Sequence, residues 1–291
     1  MGKRKGLKYI AVQRFDELMA DGQKRSEAKA EAYTRGESTF AFTDGKIHAF
    51  ETRNNYQKIV MRFIDWCRDE HDVRGPDQFN VRADELASRY LVERIEKGYS
   101  AWTLQTERSA LRTYFGSRTL AGEVVLPKRK REHIIRSRLS VVRDRHFQPA
   151  NWPLLVNFVL ACGLRREELR DLLVSDIFSR TDEQLVVHVR KGKGGKERKV
   201  PVFPGREQAV LIVREGRTED EHMFERLPSA MDIHAYRRRF AQELYEHVSG
   251  RPLPSREGRL QADDFDRQAA QYVTRCLGHN RVDVIFGHYI R

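Results

Sequence analysis

Six residues of this chain combine side-chain types and placements that suit the transfer of a phosphoryl group. Arg165 follows the turn signal Gly163-Leu164 between apolar segments, and Glu168 stands three residues after it. A guanidinium fixed there presents a planar fork of donors matched to phosphate oxygens. Arg237 belongs to the helix start His234-Ala235-Tyr236-Arg237, whose spacing puts His234 and Arg237 on one face. Lys193 occupies the tip of Gly192-Lys193-Gly194-Gly195-Lys196-Glu197-Arg198, exposed and able to hand a proton to a leaving oxygen. His279 follows a helix-ending glycine and can donate a hydrogen bond, and the hydroxyl of Tyr289 can attack phosphorus. Such a group neutralises transition-state charge with side chains rather than with a metal. The chain has no acidic cluster for Mg²⁺, no Cys/His zinc spacing and no Gly-x-x-x-x-Gly-Lys-Ser/Thr loop, so no metal, ATP or other cofactor is expected. Each stretch alone is commonplace, as a surface ion pair, a solvated turn or a packed tyrosine. Their ordered occurrence in one chain is what carries the reading.

The surrounding pattern predicts elements that hold these residues. Asn151 and Pro153 mark a helix start, and that helix runs from Leu154 to Cys162 until Gly163 ends it. A second helix then carries Glu168, Leu169 and Leu172. The β-branched runs 184–190 and 198–203 read as two strands joined by the glycine-rich turn. Helices over Met231–His247 and Ala262–Leu277 follow, with Asn280 to Arg291 closing the chain. Upstream, residues 46–126 read as an all-helical domain: Tyr56, Ile59, Val60, Phe63 and Cys67 recur at three- and four-residue spacing. Gly75-Pro76 breaks that pattern, a helix over Val81–Lys97 ends at Gly98, and Ser100 caps a third helix. Residues 1–45 form an N-terminal extension with a basic arm (Lys3, Arg4, Lys5, Lys8) and a helical stretch bearing Phe15, Leu18 and Met19. Residues 127–147 read as a basic linker and residues 148–291 as the domain that carries the chemistry. The expected fold is thus mainly α with a small β-hairpin sheet.

The chain has 291 residues and a net charge of +12, which points to a polyanionic partner, nucleic acid before an anionic membrane. The linker concentrates that charge: eight Lys or Arg between 127 and 145, against Glu132 and Asp144. Lys128, Arg129, Lys130, Arg131, Arg136 and Arg138 are therefore expected along a DNA backbone. No apolar run approaches the roughly 20 residues of a spanning helix, and the basic start lacks the apolar core of a secretory signal. Three scattered cysteines fit a reduced cytoplasmic protein without disulfides.

The motifs Gly163-Leu164-Arg165-Arg166-Glu167-Glu168-Leu169, Gly192 to Arg198, His234-Ala235-Tyr236-Arg237, Leu277-Gly278-His279 and Tyr289 resemble the catalytic motifs of tyrosine recombinases, the phage-integrase family. The helical region upstream resembles that family's core-binding domain. The resemblance implies a two-domain clamp around double-stranded DNA. It implies that Tyr289 attacks the scissile phosphate and forms a 3′-phosphotyrosyl link, freeing a 5′-hydroxyl. Arg165 and Arg237 would hold the non-bridging oxygens, and Lys193 would protonate the leaving oxygen. His279 would hydrogen-bond the phosphate, His234 would position it or take the tyrosine proton, and Glu168 would support Arg165. It further implies a homotetramer on two DNA sites, accessory DNA-bending or directionality proteins, and an integrase of a prokaryotic mobile element or phage, acting on the nucleoid. Within the same chemistry a type IB topoisomerase or telomere resolvase is an alternative. From another class, a catalytically silent DNA-binding regulator or architectural protein shares the fold. Arg238 stands where the family often has a histidine, and only two residues follow Tyr289, so either another surface than a C-terminal tail serves assembly or the chain is shortened.

Overall fold

The computed structural model describes residues 6–39, 42–130, 133, 146–180, 184–255 and 260–290. Lys3, Arg4 and Lys5 of the expected arm, and Arg131, Arg136 and Arg138 of the linker, lie outside the described residues; Lys128, Arg129 and Lys130 are exposed. The chain divides into two compact units, Met1–Lys130 and Arg131–Arg291.

The first unit is all helical: α1 Leu7–Glu17, α2 Arg25–Thr34, α3 Phe50–His71, α4 Pro76–Val81, α5 Ala83–Glu96 and α6 Ala101–Phe115. The periodic apolar stripe of α3 buries Ile59, Val60, Phe63, Ile64 and Cys67. Phe63 is the hub, with the rings of Trp66, Phe79, Tyr90 and Phe115 all within 6.3 Å of its own. Pro76 starts α4 at a position where its missing N–H costs nothing, and Ser100 Oγ accepts the Thr103 N–H at 3.2 Å to start α6. The N-terminal helix is an integral part of this core: Leu7, Ala11 and Phe15 of α1 join the cluster of α3 and α6. One buried charge is neutralised in place. Glu107 is fully enclosed and gripped by both prongs of Arg94, with Arg62 at 3.6 Å.

The second unit contains α7 Pro153–Cys162, α8 Arg166–Arg170, β1 Ile177–Ser179, β2 Leu185–Val189, β3 Arg198–Pro201, α9 Glu207–Arg214, α10 Ile233–Ser249, α11 Arg267–Cys276 and α12 Val282–His288. The strands form one antiparallel sheet in the order β1-β2-β3, with Val187 paired to Ile177 on one side and Val200 on the other. Asn151 does not cap α7; it lies in a 3-10 turn, and Trp152 takes the cap position because Pro153 fixes the first helical φ. The helix expected over Ala262–Leu277 begins only at Arg267, capped by Asp266, whose carboxylate accepts the Ala269 N–H. In this unit β1, α9 and α12 are additional to the elements read from sequence. β1 has three residues, and the apolar run of α9 fits either a strand or a helix.

Gly163 joins the fold to the chemistry. It ends α7 at φ +58, and a Cβ there would lie 2.2 Å from Phe240 Cδ1 of α10. Only glycine allows this left-handed turn and this close approach of α7 to α10. Gly163→Ala is expected to destabilise the protein by about 2 kcal/mol or more, from backbone strain and overpacking together. A shift of the urea unfolding midpoint measures it, and an unchanged midpoint contradicts it.

Candidate active site

Glu168 and the end of α11 gather three arginines. Arg165 is the residue before α8, and its own N–H donates to Glu168 Oε2 at 2.8 Å while its Nη1 donates to Oε1 at 2.7 Å. Arg198, at the start of β3, donates from Nη1 to Oε1 and from Nη2 to Oε2, both at 2.8 Å. The buried carboxylate thus accepts two bonds on each oxygen, its full capacity. Arg237 Nη1 lies 3.9 Å from Oε2. Burial alone would push the Glu168 carboxyl up; the Arg198 hydrogen bonds and charge, then those of Arg165, bring it down to about 2.

α11 supplies the remaining acceptors. It closes with Gly278 at φ +66, the Gly278 N–H bonded to Arg275 O and the His279 N–H bonded to Thr274 O. This closure leaves the Cys276 and Leu277 carbonyls to be satisfied from outside the helix. Arg165 Nη2 donates to Leu277 O at 3.0 Å, Arg237 Nη2 donates to the same oxygen, and Arg198 Nε donates to Cys276 O at 2.9 Å. The negative end of the helix dipole favours these cations. Arg237 is fully buried, also donates to Gly163 O, and has its guanidinium lowered to about 10 by burial first and by Arg165 among its neighbours. It therefore stays charged at neutral pH.

Against this cluster rests the last residue of the set. Tyr289 follows α12 and is 7% exposed. Its hydroxyl accepts from Arg237 Nε at 3.3 Å and lies 3.3 Å from His279 Nε2. Gln242 of α10 donates to the Tyr289 carbonyl at 2.9 Å and so fixes the backbone that carries the phenol. His279 Nε2 is also 3.5 Å from Arg165 Nη2, which can only donate. Burial, then the charges of Arg237, Arg165, Arg198 and Lys193, lower the His279 imidazole to about 4. It is therefore neutral at pH 7, with Nε2 facing one obligate donor and one hydroxyl.

The structure thus brings Arg165, Glu168, Arg237, His279 and Tyr289 into one contiguous network. His234 shares a helix face with Arg237 but remains exposed in the first turn of α10, its imidazole lowered by partial desolvation and by Arg237. Lys193 is exposed in the turn between β2 and β3. That turn is closed by Gly192 N–H to Lys196 O at 2.7 Å, and Lys196 Nζ donates to Asn280 Oδ1, the residue after His279. Arg198, Gln242 and Asn280 carry no functional assignment from sequence. Arg198 closes the glycine-lysine stretch 192–198, but its partner Glu168 is 30 positions away and no local pattern links them. Arg166 has a plain structural part: it donates to the Pro228 and Met231 carbonyls and anchors the approach to α10. Among the described residues, no cluster of His, Cys, Asp and Glu could hold a metal ion, and no helix is long and apolar enough to cross a membrane.

These shifts fix a sign for the pH dependence of stability. Glu168 and His279 both bind fewer protons folded than unfolded, so stability rises with pH across their titration ranges. The Glu168 contribution is complete above about 4.5 and is lost as pH falls toward 2. His279 imposes no cost above about 6.5, and its cost grows as pH falls toward 4. His279→Gln should therefore flatten the decline of unfolding free energy between pH 6.5 and 4, measured by urea denaturation. Equal slopes in the two proteins would contradict the assignment.

Residues 46–120 match the family model of the phage integrase N-terminal SAM-like domain. Over 180 residues, 57% of this chain and 56% of the relative, the sequence is 31% identical to the tyrosine recombinase XerA of Thermococcus kodakarensis. Over 131 residues, 40% of this chain and 42% of the relative, it is 31% identical to XerA of Pyrococcus furiosus. The chain spans about half the length of the curated relatives it matches. The pre-cleavage complex of the XerH site-specific recombinase bound to difH substrate superposes over 94% of this chain and 89% of that one, with TM-score 0.54 and 17% identity. The post-cleavage complex on palindromic difH gives 97%, 90%, 0.52 and 15%. At that identity the likeness is one of fold, and it agrees with the mainly helical architecture and small sheet described above. The chain is thus similar to tyrosine recombinases over part of its length, and its residues 46–120 match a phage integrase domain.

Proposed function

We propose that this protein is a site-specific DNA recombinase that cuts and rejoins strands through a 3′-phosphotyrosyl intermediate, as the integrase of a mobile element or phage. One observation carries the reading: the Tyr289 hydroxyl sits 3.3 Å from both Arg237 Nε and His279 Nε2, beside a second fixed guanidinium, Arg165. A phenol in that position is a nucleophile held among groups that favour a phosphate diester and the charge that builds on it. The net charge of +12 and the exposed Lys128, Arg129 and Lys130 support double-stranded DNA as the partner.

In this mechanism Tyr289 Oη attacks phosphorus and the 5′-bridging oxygen leaves. The phenolic proton passes to neutral His279 Nε2, 3.3 Å from the hydroxyl. Lys193, at the tip of its turn, gives a proton to the departing oxygen. Arg165 and Arg237 bind the non-bridging oxygens, and His234 at the mouth of the site helps to position the phosphate. The exchange conserves one phosphodiester bond in the tyrosyl link, so the residues present suffice for chemistry without a cofactor. Exchange between two duplexes requires four strands to be cut, which favours a homotetramer on two DNA sites.

Covalent capture tests the proposal. The wild-type protein is expressed in cells carrying its parent DNA, denatured rapidly, and attached DNA is recovered and sequenced. Attachment is expected in the wild type and absent in Tyr289→Phe, with DNA affinity retained. Arg165→Ala or Arg237→Ala should slow attachment by about 10²–10³-fold, the cost of losing a preorganised charge partner. Attachment in Tyr289→Phe, or unslowed attachment in both arginine variants, would contradict the reading.

A further inference from the structure

We infer that Arg198 is a positioning residue of this site, fixing Glu168, and through it Arg165, while tying the base of the lysine turn to the end of α11. The inference rests on the reading of the site as a phosphoryl-transfer centre. All three guanidinium nitrogens of Arg198 are engaged, two on Glu168 and one on Cys276 O. Its seat is made by two glycines. A Cβ on Gly278 would lie 3.0 Å from Arg198 Cδ and 3.1 Å from Nε, and a Cβ on Gly192 would lie 2.9 Å from Nη1. These glycines flank the two candidate proton-handling residues: Gly192 precedes Lys193 and Gly278 precedes His279. One arginine therefore packs against both segments and against the carboxylate behind Arg165.

The consequences follow from the bonding. Without Arg198, a buried carboxylate loses two of its four donors, and only Arg165 remains bonded to it. A carboxylate so released pulls on Arg165 unequally, and small misplacements of a reacting constellation cost rate steeply. Arg198 also acts at a distance through its charge, which is among the causes that keep the His279 imidazole low. Its removal raises the protonation midpoints of Glu168 and of His279 together, so the acid limb of the reaction moves to higher pH. Arg198→Lys separates the two effects. A lysine keeps the charge and much of the limb's position, but one ammonium cannot reproduce a two-pronged grip plus a third bond to Cys276 O.

The test uses the full chain and a duplex selected from a randomised library on the Tyr289→Phe protein, then nicked so that the attached intermediate is trapped. Single-turnover attachment is followed against pH for the wild type, Arg198→Ala and Arg198→Lys, with duplex affinity measured alongside. The expectation for Arg198→Ala is unchanged affinity, attachment slower by about a hundredfold, and an acid limb displaced upward. Arg198→Lys should be slowed with its limb near that of the wild type, and it carries the test if the alanine variant does not fold. Wild-type rates in both variants, or slowing in Arg198→Ala with an unmoved limb, would overturn the positioning role. Failure of the wild type to attach, or attachment by Tyr289→Phe, would instead overturn the reading on which it rests.

Discussion

Three guanidinium groups repel one another, and the site exists because a single carboxylate and one helix end oppose that repulsion. Glu168 takes four hydrogen bonds from Arg165 and Arg198, and the last carbonyls of α11 take bonds from Arg165, Arg198 and Arg237. The compensation is incomplete in charge: one carboxylate and three neutral carbonyls, of Gly163, Cys276 and Leu277, face three cations. The residual positive field adds to burial in lowering His279, and it is what a phosphate diester would neutralise. Much of the second unit can be understood as a frame for this balance. α8 exists to place Glu168 under Arg165, and Gly163 lets α7 approach α10 closely enough for its carbonyl to receive Arg237.

The arrangement also joins segments far apart in sequence. Arg165 and His279 are separated by 114 positions, and Arg237 and Tyr289 by 52, yet all four meet at one hydroxyl and its neighbours. The lysine turn reaches the same place by two links, Arg198 to Glu168 and Lys196 to Asn280. A local change at any of these points is transmitted to the others through directional bonds rather than through packing alone. The first unit has a different character. Its core is centred on the aromatic cluster around Phe63, and among its described residues the one enclosed charge, Glu107, is matched by Arg94.

What could be read from sequence was what local rules determine. Arg165, Arg237, His279 and Tyr289 announce themselves through helix ends and spacing, and the structure assembles them. The helices over α3, α5, α6 and α10 carry clear apolar periodicity and formed where it predicts. The rest depends on features that no short window contains. The Leu277 and Cys276 carbonyls are backbone groups, so residue type says nothing of their role. Arg198 looks like any strand-edge cation until Glu168 is placed beside it. α1 was readable as a helix, but its burial in the core of α3 and α6 depends on partners dozens of residues away. β1 was too short to signal, and Glu207–Arg214 contains an apolar run that propensity alone leaves ambiguous.

The proposed function requires the Tyr289 hydroxyl to be the nucleophile that this charge balance surrounds. The most direct measurement is the location of the linkage itself: the DNA-attached protein is digested with nuclease and protease, and the peptide carrying the residual nucleotide is sequenced by mass spectrometry. The account predicts a nucleotide joined through its 3′-phosphate to Tyr289. A linkage on any other residue, or through a 5′-phosphate, would contradict it.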